Sequence, residues 1–329
     1  MRRIIIGFLM VVIFSGLFSC GRSLKKYEFK EYLMNTVFQI IIYTDLKKDQ
    51  AGVLAAETFR ICHQLEMKYS TTITDSLVSK INKDGYSEID SETYRVVKDA
   101  LEFSKKTGGM FDITVYPLMK TWGFYDQNYR LPGINEIKSI LPHVNYRYIS
   151  LSSNRIVLQN GVKIDLGGIM KGYAIHEMVS NLQAHNITAG IVNAGGNLKV
   201  FGRKPDGSPW RIGIRHPRSI GELFSTVELK PDLSIATSGD YEQYFITNNT
   251  RYHHIMNPKT GFPVKNGVIS ASVITSEDQD FEDSDGYSSS FFALGPEKGI
   301  DFANKNHIPV LYILESNKVI SSTNSIWWK

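Results

Sequence analysis

Cysteine is almost missing: the chain of 329 residues holds two, Cys20 and Cys62. One pair at most excludes a disulfide framework, so a hydrophobic core must hold the fold. Charge of either sign is not in excess. Net charge is +4, and Arg2 and Arg3 lie in the leader, which leaves 35 basic against 33 acidic residues. That balance gives no electrostatic case for nucleic acid. No internal repeat and no low-complexity linker is present. Also missing are a nucleophile elbow, a Walker loop and a dinucleotide fingerprint, because the Gly-Gly pairs lack the required spacing. The adjacent His253 and His254 lack the spacing of a helical zinc motif.

What is present begins with a leader. Arg2-Arg3 precede Ile4–Ser19, sixteen uncharged residues, followed by Cys20-Gly21. A basic start, a short apolar middle and a small residue at the end read as a signal peptide over 1–19. The run is short for a spanning helix, which needs about 20 residues. Leu17-Phe18-Ser19-Cys20 resembles a bacterial lipoprotein box, with lipid on the Cys20 thiol. An uncleaved anchor or an ordinary secretory signal is the alternative. Residues 20–28 then form a lipidated polar tether, and 29–329 one domain. If Cys20 carries lipid, Cys62 has no partner. It falls on the apolar stripe Leu54, Thr58, Ile61, Cys62, Leu65 and reads as a packed thiol.

Apolar residues make up 42% of the chain, enough for a sizeable core. Periodicity predicts a strand over Tyr32–Tyr43, helices over Gln50–Lys68 and Glu92–Lys106, and a short helix after Leu131-Pro132. Tyr146–Leu151 and Arg155–Gln159 read as a hairpin, and Val162–Leu166 as a strand end. A helix runs from Ile169 to about Ala184. Strands follow at Thr188–Asn193, Leu198–Gly202, Trp210–Ile214, Phe224–Leu229, Ser234–Thr237, Gln243–Thr247, Tyr252–Met256 and Val268–Ile274. Helices over Phe281–Leu294 and Glu297–Asn306 precede strands Pro309–Leu314 and Lys318–Ser321. Helices among antiparallel hairpins predict an α+β fold, a single two-lobed domain of antiparallel sheets flanked by helices.

Polar residues at element ends carry the candidate chemistry. Gly167-Gly168 would turn a strand into a helix, whose free N–H groups with Lys171 favour an anion. A tight connection with a surface lysine explains the same residues. Asp285 and Ser289, four apart, share a helix face and offer hard oxygen ligands suited to Mg²⁺. Asp285 as a mere helix cap is the plainer reading. His253 and His254 cannot face the same way on a strand, so one is expected in a site and the other in solvent. A neutral histidine beside a phosphate could take a proton from a hydroxyl. Asp112 reads as the cap of a short helix, and Trp122 and Trp210 as core or pocket walls.

Eight stretches in order resemble the FAD:protein FMN transferase family, the ApbE flavin lipoproteins, whose fold is ApbE-like and T-fold-like. They are Met34-Asn35-Thr36, Asp75-Ser76 to Asn82, Gly109–Thr114 with Pro117-Leu118 and Trp122-Gly123-Phe124, Asp165–Ala174, Asn193–Gly196, Thr237–Tyr241, His254–Gly261 and Asp285 to Gly295. The resemblance implies that a protein Ser or Thr hydroxyl attacks the FMN-side phosphorus of FAD and releases AMP. It implies Asp285, Ser289 and the Gly168 carbonyl as Mg²⁺ ligands, and Lys171 against FAD. Met34, Met110, Phe111, Asp112 and Ile255 would line the flavin or adenine pocket, with His254 as the base. The acceptor would be an exported flavoprotein, such as a subunit of a membrane redox pump. The place would be the bacterial cell envelope, lipid-anchored on the periplasmic or outer side. Departures are Ser289 for the usual Thr, Asn35 for Gly, Thr72 for an aromatic, His176 and Asn257 for Asp, and Asn197 for an acid. The competing readings are FAD hydrolysis to FMN and AMP, and a non-enzymatic flavin- or solute-binding lipoprotein.

Overall fold

The computed structural model describes residues 24–276 and 284–323; Cys20, the leader and the start of the helix expected from Phe281 lie outside them. Its frame is an eight-stranded sheet, every neighbouring pair antiparallel. The strands, in spatial order, are β1 (Lys25–Leu33), β2 (Thr36–Thr44), β6 (Ala189–Ala194), β7 (Asn197–Phe201), β10 (Leu233–Gly239), β13 (Val268–Ser276), β14 (Val310–Leu314) and β15 (Val319–Ser321). One face carries three helices: α1 (Lys48–Tyr69), α6 (Gly167–Ala184) and α7 (Ser284–Lys305). Phe38, Ile40 and Ile42 alternate along β2 onto that side and meet Leu54, Phe59, Ile175 and Met178. The opposite face is covered by the pair β8 (Trp210–Arg215) and β9 (Leu223–Leu229), through Trp210, Ile214, Val227 and Leu229. With both faces covered, β13 is buried for eight of its nine residues.

A smaller lobe holds the remaining elements. These are α2 (Leu77–Asp84), α3 (Ser91–Lys106), α4 (Tyr116–Thr121), α5 (Ile134–Ile140), the sheet β3 (Tyr86–Glu88), β5 (Arg155–Leu158), β4 (Ile149–Ser152), and the hairpin β11 (Tyr244–Thr247) with β12 (Thr250–His253). Of these, α2, α3 and the small sheet pack into the large core through Val78, Ile81, Val97 and Ile156, while α4, α5 and the β11–β12 hairpin surround a separate core centred on Trp122, whose indole N–H donates to the Gly261 carbonyl at 3.0 Å. No helix among the described residues is long and apolar enough to cross a membrane.

Several elements differ from the sequence expectation. The tether is shorter, because β1 starts at Lys25 and pairs with β2 through the turn Met34-Asn35. Both turn residues have positive φ, 47° and 59°, the two-residue hairpin geometry that matches strand twist. The segment expected as a strand at Val162–Leu166 pairs with no strand. The Asn82 side-chain amide replaces a partner: its Nδ2 donates to the Ile164 carbonyl and its Oδ1 accepts from the Ile164 N–H, both at 2.7 Å. Asp112 caps no helix; Oδ1 accepts from the Thr114 N–H and hydroxyl, and Oδ2 from the Tyr146 N–H. Tyr146–Tyr148, expected at the start of a hairpin strand, is a 3-10 turn, and the strand expected over Tyr252–Met256 ends at His253. Most other expected elements stand, including the break near Gly295, which bends α7 with φ 76°. Cys62 is fully buried and unbonded to sulfur, and burial pushes its thiol up to about 12.

Candidate functional site

A cavity of about 850 Å³ opens where the helical face of the main sheet meets the smaller lobe. Met34, Met110, Phe111, Asp112, Gly168, Lys171, His254, Ile255, Asp285 and Ser289 all line it. They come from the β1–β2 turn, the segment after α3, the start of α6, the segment after β12 and the first turn of α7.

Asp165 fixes the start of α6. Its Oδ1 accepts from the Gly167 N–H at 2.7 Å and its Oδ2 from the Tyr125 hydroxyl at 2.6 Å. A Cβ at Gly168 would come to 3.0 Å of the Phe111 ring, a tight approach that a side chain there could make only if the ring gave way. Lys171, one turn on, reaches Asp285, with Nζ 3.6 Å from Oδ2. The Asp285 side chain is 4% exposed. Burial raises its pKa, while Lys171, the Asn197 side chain and the Gly172 N–H oppose the rise by favouring the carboxylate. In a regular helix the Gly172 N–H would serve the Gly168 carbonyl. Ser289 follows one helical turn after Asp285, and its Oγ lies 3.0 Å from that of Ser238 at the end of β10. Ser238 also meets Ser288 at 2.8 Å, so β10 and α7 are tied at the cavity floor.

The histidine pair is resolved differently from the sequence expectation. Neither ring is given to solvent. His253 is buried: Nε2–H donates to the Val264 carbonyl at 2.9 Å, Nδ1 accepts from the Ile255 N–H, and the ring packs edge-on to Phe292. His254, the first residue after β12, faces the cavity. Its Nδ1 lies 3.2 Å from the Gln243 carbonyl, which can only accept, so Nδ1 carries the proton and Nε2 is the basic atom. Burial, then His253 and Lys171, push its pKa down to about 4 despite that bond. The ring is therefore neutral near pH 7.

Several lining residues escape a reading by motif. Tyr125, Arg215, Glu242 and Gln243 come from segments of ordinary strand and loop composition. Only the fold brings them to the cavity. Asp240, inside a matched stretch, stays out of it: Arg218 holds both its oxygens at 2.7 Å. Among the described residues no three His, Cys, Asp or Glu side chains converge on a metal position. A carboxylate, a hydroxyl and a backbone carbonyl fit a hard cation completed by ligand oxygens, not zinc or iron.

A cavity of this size, with two cations, a buried carboxylate beside a helix start and a neutral histidine, has the room and the charges that suit a nucleotide-sized, phosphate-bearing ligand. The comparisons carry this further, for the model of the ApbE family matches residues 34–312, and the chain belongs to that family. It is 29% identical to an FAD:protein FMN transferase of Treponema pallidum over 96% of this chain and 93% of that one. The FAD:protein FMN transferase of Vibrio cholerae is 29% identical, covering 96% and 95%. The crystal structure of the ApbE protein of Thermotoga maritima superposes with a TM-score of 0.84 at 32% identity, covering 93% of this chain and all of that one. The apo flavinyl transferase ApbE of Pseudomonas stutzeri gives 0.80 at 28% identity, covering 92% and 96%.

Proposed function

We propose that the protein is a Mg²⁺-dependent FAD:protein FMN transferase. It moves FMN from FAD to a Ser or Thr hydroxyl of an acceptor protein and releases AMP. The observation that carries this reading is the convergence of Gly168, Lys171, His254, Asp285 and Ser289 on one cavity with the family's flavin-lining residues. Asp285, Ser289 and the Gly168 carbonyl would hold Mg²⁺. Bound there, the ion supplies charge neutralisation for the pyrophosphate. Lys171 binds a phosphate oxygen and opposes the burial-driven rise in the pKa of Asp285. Met34, Met110, Phe111 and Ile255 enclose the rings, and Asp112 braces that wall through its bonds to Thr114 and Tyr146. His254 Nε2 takes the hydroxyl proton as its oxygen attacks the FMN-side phosphorus. The acceptor is an exported flavoprotein, such as a redox-pump subunit, and lipid on Cys20 keeps the enzyme at the envelope membrane.

Incubation with FAD, Mg²⁺ and a flavoprotein acceptor tests this. Covalent flavin on the acceptor, seen by mass spectrometry, is expected; no FAD consumption under any of these conditions overturns it. One observation favours hydrolysis as a second activity. Thr72, which hydrogen-bonds Ser70, stands in the cavity wall where the family often has an aromatic over the flavin, so that cover is smaller here. FMN and AMP formed without acceptor would reveal it.

A further inference from the structure

The cavity has two permanent cations among its described lining residues, Lys171 and Arg215, against five carboxylates, Glu66, Asp112, Asp165, Glu242 and Asp285. Glu66, Asp112 and Asp165 accept hydrogen bonds from the protein around them. The other two face the cations: Lys171 lies by Asp285 at 3.6 Å, and Arg215 by Glu242 at 3.7 Å. Lys171 belongs to the metal side of the site. Arg215 is delivered from elsewhere.

Arg215 ends β8, and the β8–β9 register slips between Ile214 and Arg215. A bulge at that place re-aims the side chain that follows it. Its guanidinium then lies 4.7 Å from the centroid of the Tyr241 ring. Tyr241 itself lies on Gly239, where a Cβ would come within 2.3 Å of the ring. A bulge, an aromatic platform on a glycine, and a carboxylate together hold one arginine. Yet its side chain remains 57% exposed, open to a ligand. A surface ion pair contributes little to stability, so this arrangement gains the fold almost nothing.

We propose that Arg215 is a catalytic residue that binds the AMP phosphate, the leaving group of the reaction, while Tyr241 and Glu242 position it. The inference rests on the proposed cleavage of FAD. The acceptor oxygen forms a bond to the FMN phosphorus. The bond from that phosphorus to the bridging oxygen breaks, and its electron pair leaves on AMP. The hydroxyl proton passes to His254. The new negative charge on AMP appears where a guanidinium can bind two oxygens at once. The assignment holds whether a hydroxyl or water attacks, since AMP departs in both cases.

Calorimetric titration of the full chain with AMP, with FMN and with FAD plus Mg²⁺ tests it, using wild type, Arg215→Gln, Arg215→Lys and Glu242→Gln. Arg215→Gln is expected to weaken AMP roughly tenfold or more and to leave FMN within about twofold. Arg215→Lys keeps charge without the fork and falls between. Glu242→Gln weakens AMP less, and adding it to Arg215→Gln gives no further loss. Unchanged AMP affinity in Arg215→Gln, or a loss confined to FMN, overturns the assignment while wild-type FAD binding stands. Wild type that fails to bind FAD with Mg²⁺ overturns the function, and this assignment with it.

Discussion

Asp285 concentrates the chemistry of single residues. Burial raises the pKa of this carboxylate, and Lys171, Asn197 and the Gly172 N–H oppose that rise by favouring the charged form. Replacing it by alanine leaves Lys171 and removes the one carboxylate of the proposed cation set. FAD cleavage should fall by roughly a hundredfold or more, read as AMP release, with the circular dichroism spectrum unchanged. Full activity in Asp285→Ala would refute the metal assignment. Ser289→Thr keeps the hydroxyl and should retain activity, whereas Ser289→Ala should lose much of it. His254 makes a pH prediction. Its folded pKa lies near 4, below the ordinary histidine value, so it stays neutral while an unfolded chain would take up a proton near pH 6.5. The unfolded state then binds more protons between those values, so this residue's share of stability is present above pH 6.5 and is lost as pH falls toward 4. The same sign applies to rate: a base that must be neutral keeps working on the acid side until about pH 5. An acid limb of FAD:acceptor transfer centred near 6.5 would remove His254 from that role.

At the scale of elements, the segment before α6 depends on one side chain. Asn82 gives both an amide N–H and a carbonyl to Ile164, a fully buried residue. Asn82→Ala leaves two backbone groups unsatisfied, which costs about 2–6 kcal/mol at roughly 1–3 per group, and should lower the melting temperature measured by calorimetry. No loss would show that water replaces the amide. This clamp also explains the limit of a sequence reading. Val162–Leu166 has strand composition, and the local pattern is silent about whether a strand or a side chain answers its backbone. The hairpin turn is a similar case. Tyr32–Tyr43 alternates as one strand would, and only the left-handed Met34 and Asn35 divide it. Asn35→Ala should destabilise by about 1 kcal/mol, because alanine has none of asparagine's tolerance for that conformation. The site was more legible than the folds of its loops. Gly168, Lys171, Asp285 and Ser289 carry local signals, a glycine break and a helical spacing, that survive without tertiary knowledge. Arg215, Glu242 and Tyr125 carry none, since a bulge and a loop decide where they point.

At the scale of the molecule, the cavity is where separate cores meet. The large core under α1, α6 and α7 contributes Met34, Phe111 and Ile255, while the Trp122 core contributes Phe124, Tyr129 and Met256. A ligand that touches both should couple the lobes and stabilise the folded chain as a whole, because it binds only when all the walls are in place. At a concentration about a hundred times its dissociation constant, FAD with Mg²⁺ adds roughly 2.7 kcal/mol. For a chain of this size that corresponds to roughly 5 °C or more in melting temperature. The shift should shrink when the metal is chelated. In Asp285→Ala, chelation should make no difference, because the variant has already lost the cation. A chelator effect of equal size in both proteins would place the metal elsewhere than Asp285. No shift with FAD in wild type would deny that the cavity is the binding site.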